Sequence, residues 1–276
     1  MMSNSIELPI EARSIFRILA INKIVECPEF VAKLNAQFEN IIQMIQPSSR
    51  LNLESKKRFP KHSPFNDTTS DIKTMPETNM CKSTAVFFSS FKITTGKNNQ
   101  LYNVKMIDFQ VPLALTRASG DGVIDMIGVS DPGIKSQKVY IIETKKWDSN
   151  EHPLRAMFEA LTFWEMLKDK DGKFQSFIER YNEDYSMEEN VFSKDATIVP
   201  VILIRKVDDR DFSDNPRRIY TKMMNKMAIG NEQELETYKQ LYGQILKKGL
   251  LAWRYDEHPT IEDFTEEFRC RWGISK

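Results

Sequence analysis

The chain has 276 residues, 41% hydrophobic and 28% charged, and its 39 Lys and Arg equal its 39 Asp and Glu, so the formal net charge is zero. That balance excludes the strongly basic chain that announces nucleic acid or an anionic membrane surface, and the charge-rich, apolar-poor chain that stays disordered. A chain of this length can bury roughly three quarters of its unfolded surface, so one main domain with appendages is expected.

The first residues, Met1 to Glu7, lack the basic start and apolar stretch of a secretory signal, and the longest apolar run, Ile198 to Ile204, contains Pro200 and is too short to span a bilayer. A protein outside the membrane is expected. Cys27, Cys81 and Cys270 are odd in number and widely spaced. They fit a cytoplasmic or other intracellular reducing compartment and neither a disulfide framework nor a thiolate zinc site.

Between Ile10 and about Ile45 the apolar residues recur mostly at steps of three and four, the helical period. Pro28 divides this stretch, because proline is tolerated in a first turn but not in a helix interior. Residues 1–46 therefore read as an N-terminal helical segment. Residues 47–84 are rich in Pro, Ser, Lys, Asn and Thr and read as an exposed loop or linker. Arg50, Lys56, Lys57, Arg58 and Lys61 form a positive cluster within it, which taken alone is a solvated loop.

The core is expected over 85–216. Phe109 to Leu115, Val123 to Val129 and Val139 to Glu143 are short runs rich in β-branched and aromatic residues, separated by Ser119-Gly120-Asp121-Gly122 and Asp131-Pro132-Gly133. They predict a three-strand meander. A helix follows from about Pro153 to Leu167, with Leu154, Met157, Phe158, Leu161, Trp164 and Leu167 on one stripe, and then a strand from Thr197 to Ile204. Strand, helix, strand favours parallel pairing of the last strand with the meander. From Arg217 the pattern is helical with breaks near Gly230 and at Pro259, so 217–276 reads as a helical extension packed on the core. The fold class is α/β, a central mixed sheet of at least four strands flanked by helices.

Alternate residues of a strand share a face. Val123, Asp125, Ile127 and Val129 line one face of the second strand, and Ile141, Glu143, Lys145 and Trp147 one face of the third. If the two are neighbours, Asp125 faces Glu143 across the pair, with Lys145 about 6.6 Å along the strand from Glu143. A carboxylate inside Val123-Ile124-Asp125-Met126-Ile127 is costly to bury without a partner. Two carboxylates that close call for a hard divalent cation, and magnesium, with manganese as its substitute, suits one or two carboxylates, a carbonyl, waters and a phosphate. A neighbouring lysine would stabilise charge on an attacked phosphorus.

Gly120-Asp121-Gly122-Val123-Ile124-Asp125, followed after 17 residues by Glu143-Thr144-Lys145 at the end of Val139-Tyr140-Ile141-Ile142, resembles the core of the PD-(D/E)xK nuclease superfamily, the restriction endonuclease-like enzymes. The matching stretch runs from about Asp108 to Arg205. The resemblance implies a magnesium-dependent nuclease, endonuclease rather than exonuclease, acting on DNA in preference to RNA. It makes Asp125 and Glu143 metal ligands, the Thr144 carbonyl a third, and Lys145 the catalytic lysine. Ile124 stands where the motif has proline. Many members add a glutamate from a preceding helix, for which Glu39 and Glu77 are candidates and Glu11 a weaker one.

Asp121, Arg155 and Glu159 are accessory candidates. Gly-Asp-Gly is also a plain turn, and Arg155 with Glu159 an ordinary surface pair four residues apart. Lys56, Lys57, Arg58 and Lys146 are the candidate nucleic-acid contacts. The other reading is a catalytically inactive relative that binds nucleic acid or a protein partner on the same scaffold, and a homodimer fits either. Thr95-Gly96-Lys97 fails as a phosphate loop, since Phe91 stands at the first glycine and Asn98 at the final hydroxyl. His62, His152 and His258 are isolated, which excludes a zinc site from these residues. A neutral nuclease should hold DNA weakly outside its preferred structure, because phosphate binding draws on excess Lys and Arg.

Overall fold

The computed structural model describes residues 28–44, 90–95, 100–112, 123–130, 137–146, 153–168, 174–175, 178–179, 192–193, 195–205, 232–256 and 260–274. Helices α1 (Pro28–Ala36) and α2 (Phe38–Met44) meet at Gln37. Pro28 occupies the first turn of α1, where its missing N–H is not needed, and Glu29 and Lys33 complement the helix dipole. Phe30, Val31, Leu34, Phe38, Ile41 and Ile42 form the buried stripe that the helical period predicts.

Seven strands among the described residues form a mixed sheet that closes on itself. Strands β1 (Ser90–Thr95), β2 (Gln100–Pro112), β3 (Val123–Ser130) and β4 (Lys138–Lys146) run antiparallel in order. Helix α3 (Pro153–Leu167) then carries the chain to β5 (Thr197–Arg205), parallel to β4 as expected, and α4 (Glu232–Lys247) carries it to β6 (Leu251–Asp256), parallel to β5. Strand β7 (Thr260–Asp263) is antiparallel to β6 and parallel to β1, which closes the ring. Helix α5 (Thr265–Trp272) ends at Gly273, whose φ of +62° forms a left-handed cap with N–H bonds returning to Arg269 and Cys270. No helix among the described residues is long and apolar enough to cross a membrane.

The sheet separates two apolar bodies. Inside the ring lie Ile93, Val104, Met106, Phe109, Met126, Tyr140, Ile142, Val201, Leu203, Trp253 and Ile261. Tyr140 and Trp253 meet with ring centroids 4.9 Å apart. Gly128 sits opposite Tyr140, and a Cβ there would lie 2.8 Å from Val104 Cγ1, so the close approach of β2 requires glycine. Outside, the helices cover the other face around Ile127, Ile141, Phe158, Ile202 and Tyr242. The N-terminal helices are docked there: Phe38 packs edge-on against Phe158 with centroids 5.8 Å apart, and Asn35 bonds Gln240 and Gln244 of α4.

Two expectations change. Of the strand expected over 109–115, residues 109–112 are the end of a longer one beginning at Gln100, and 113–115 lie outside the described residues; the longer strand is preceded by β1, which the sequence did not single out. The extension over 217–276 carries α4 and α5 but also gives β6 and β7 to the sheet. The helix ends at Lys247 and the chain turns at Gly249, whose φ of +88° suits glycine, while Gly230 and Pro259, where breaks are expected, lie outside the described residues. Six residues of β6 and four of β7 are too few for periodicity to separate strand from helix.

Candidate active site

The last pair of the β3–β4 ladder is Met126 with Ile142, after Val129 with Val139, Gly128 with Tyr140 and Ile127 with Ile141. One step further the same register sets Asp125 opposite Glu143. The ladder stops there because a side chain replaces a main-chain acceptor: the Thr144 amide donates to Asp125 Oδ2 at 2.9 Å. Strand β4 nevertheless runs on, held on its other edge by pairs of Thr144 with Leu203 and Lys145 with Ile204. The two carboxylates thus sit where β3 and β4 part, on the side covered by α3.

Lys145 Nζ lies 2.7 Å from Glu143 Oε1 and 3.1 Å from Glu159 Oε2. Glu159 comes from α3, one turn after Arg155, and Arg155 Nε donates to Glu159 Oε1 at 3.0 Å. Asp125, Glu143 and Lys145 are 9%, 5% and 4% exposed, so three ionisable side chains are buried together. Burial, and then the charge of Asp125, push Glu143 well above the usual carboxylate range, with Glu159 adding to the rise and Lys145 opposing it. Burial also pushes Glu159 up, but Lys145, a hydrogen bond with Glu143 and Arg155 outweigh it and hold Glu159 below its ordinary value.

Of the predicted site residues, the structure therefore brings together Asp125, Glu143, Thr144, Lys145, Arg155 and Glu159. Arg155 and Glu159 form the expected pair four residues apart, and Glu159 also reaches the strand. Lys146 follows in β4. Glu39 is directed elsewhere: its Oε2 pairs with Lys248 Nζ at 2.7 Å, and its side chain is 55% exposed. Glu11, Glu77, Lys56, Lys57, Arg58, Asp121, Trp147 and the three histidines lie outside the described residues.

Sequence reasoning passed over Asp108. It is 5% exposed and pairs with Ile127 at a bulge in β2, where its Oδ1 accepts the Phe109 amide at 2.8 Å. The signal was present, a carboxylate inside Met106-Ile107-Asp108-Phe109. Here it serves the main chain that the bulge disturbs.

The chemistry of the donors is compatible with a hard divalent cation. Asp125, Glu143 and the Thr144 carbonyl are hard oxygen donors, and no group of three or more His, Cys, Asp or Glu suited to a metal occurs among the described residues. Magnesium requires no such cage, since it takes one or two carboxylates and keeps its waters or a substrate phosphate. No protein-family model matches the chain, and neither does any curated protein or solved structure.

Proposed function

We propose that the chain is a magnesium-dependent nuclease of the PD-(D/E)xK type, with a restriction endonuclease-like core from β2 to β5, that hydrolyses phosphodiester bonds in DNA, as an endonuclease rather than an exonuclease. The observation that carries this reading is the register: Asp125 and Glu143 are opposed where β3 and β4 part, with Lys145 beside Glu143. Asp125, Glu143 and the Thr144 carbonyl would hold the ion, which when bound supplies a water of lowered pKa and Lewis-acid stabilisation of phosphate charge.

The protein's own groups do the rest. Lys145 presents an ammonium that stabilises negative charge growing on the phosphoryl oxygens, and its burial strengthens that effect by keeping solvent out. The Thr144 amide holds Asp125 by one oxygen, which fixes the orientation of the carboxylate. Arg155 and Glu159 brace Lys145 from the helix.

Plasmid cleavage with magnesium tests the proposal. Wild type should nick or linearise the DNA, and Asp125→Ala and Lys145→Ala should each lose about 10²–10³-fold in rate, the usual scale for removing one electrostatic stabiliser. Equal rates in all three would refute it.

The ion pairs also favour a second reading, the inactive scaffold that binds nucleic acid or a protein partner. Lys145 is neutralised by Glu143 and Glu159, and Asp125 serves a main-chain amide, so the group needs no metal to hold the fold. The two readings part on divalent-ion binding.

A further inference from the structure

Lys145 is shared. Its Nζ lies between Glu143 Oε1 on its own strand and Glu159 Oε2 on α3, at 2.7 and 3.1 Å. If Glu143 is a metal ligand, as the proposed function has it, a divalent cation on that carboxylate repels the ammonium and weakens its pair with Lys145. An ammonium 4% exposed is costly to leave without a counter-charge, and Glu159 supplies one. Glu159 is itself fixed, because its other oxygen, Oε1, receives Arg155 Nε at 3.0 Å from one turn earlier in the helix. The two oxygens of Glu159 thus divide between a helix anchor and the strand lysine.

We propose that Glu159 is a positioning residue that retains Lys145 beside the site when Glu143 exchanges the lysine for a divalent cation. The inference rests on the metal-ligand reading of Glu143 and adds a role for a side chain that is not itself a ligand. Without Glu159, the cation must compete with the 2.7 Å pair for Glu143, with no helix carboxylate to receive the ammonium.

A double-mutant cycle read by calorimetric titration with Mn²⁺ tests this. Glu159→Gln should weaken Mn²⁺ binding about five- to tenfold, the scale of coupling between neighbouring charged side chains. In a Lys145→Met background the same replacement should change the affinity less than about twofold, because no ammonium remains to be passed over. Equal weakening with and without Lys145, or no weakening in either, overturns the proposal. A wild type that binds no Mn²⁺ removes the metal-ligand reading itself and the inference with it, whereas binding without coupling removes the inference alone. The second measurement needs no variant: in a structure of the wild type with a divalent ion, Lys145 Nζ stays within ion-pair distance of Glu159 while Glu143 turns to the ion. An ammonium that remains on Glu143, or leaves both carboxylates, contradicts the proposal.

Discussion

The two faces of β4 are built from the same nine residues and solve opposite problems. Tyr140 and Ile142 point into the ring, where they meet Trp253, Met126 and Val201 in a mainly apolar cluster. Val139 and Ile141 begin the other face in the same way, but Glu143 and Lys145 end it, buried to a similar degree and surrounded by Asp125, Glu159 and Arg155. Burial of the first face is favourable by about 25 cal/mol per Å² of apolar surface. Burial of the second removes charges from water, a penalty that mutual attraction offsets only with good geometry. Apolar positions on both faces contribute to stability, and the charged outer end is where a function would be built.

Breaking each face in turn should separate these roles. The largest stability effect is expected inside: Trp253→Ala should cost about 3–5 kcal/mol in urea denaturation, the range for losing a buried large aromatic. It should leave the divalent-ion affinity of the remaining folded protein unchanged. A loss below about 1 kcal/mol would show that the interior is not packed as described.

A smaller effect, of opposite sign, is expected at the charged end. Glu143 has a folded pKa raised above its unfolded value, so in the folded state it binds its proton over a window in which the unfolded chain has released it. Its contribution to stability is complete below the ordinary glutamate pKa and is lost as pH rises through the raised value. Asp263, raised chiefly by burial, acts in the same direction. Glu143→Gln, which mimics the neutral acid, should therefore melt a few degrees higher than wild type at neutral pH without metal, the two converging in acid. A variant that melts lower at neutral pH would mean that the pair with Lys145 outweighs the repulsion.

The smallest effect belongs to Glu39. Its ion pair with Lys248 is exposed, so Glu39→Gln should change stability by less than about 1 kcal/mol and leave DNA cleavage at the wild-type rate. A hundredfold loss of cleavage would return Glu39 to the site as the missing glutamate.

How much of this the sequence disclosed depends on segment length and on what each pattern encodes. Strand β3, helix α3 and strand β5 were readable because each has enough residues for its period, and a turn or a proline marks the edges of the first two. The opposition of Asp125 and Glu143 followed from alternation and neighbouring strands alone. Strands β6 and β7 were missed, since six and four residues are too few to show a period, and their outer partners, β5 and β1, lie far off in sequence. Asp108 was missed because a bulge, not a periodic pattern, gives it a purpose. The grip of Glu159 on Lys145 was half visible: the helix spacing showed its pair with Arg155, but the second partner depends on how α3 lies on β4.

The central claim is that the opposed carboxylates of Asp125 and Glu143 hold a divalent cation. Calorimetric titration of Mn²⁺ into the wild type and into the Asp125→Asn, Glu143→Gln double variant, with both shown to melt cooperatively, tests it most directly. The account predicts one saturable site in the wild type and none in the double variant. Identical titrations, or no binding by the wild type, would contradict it.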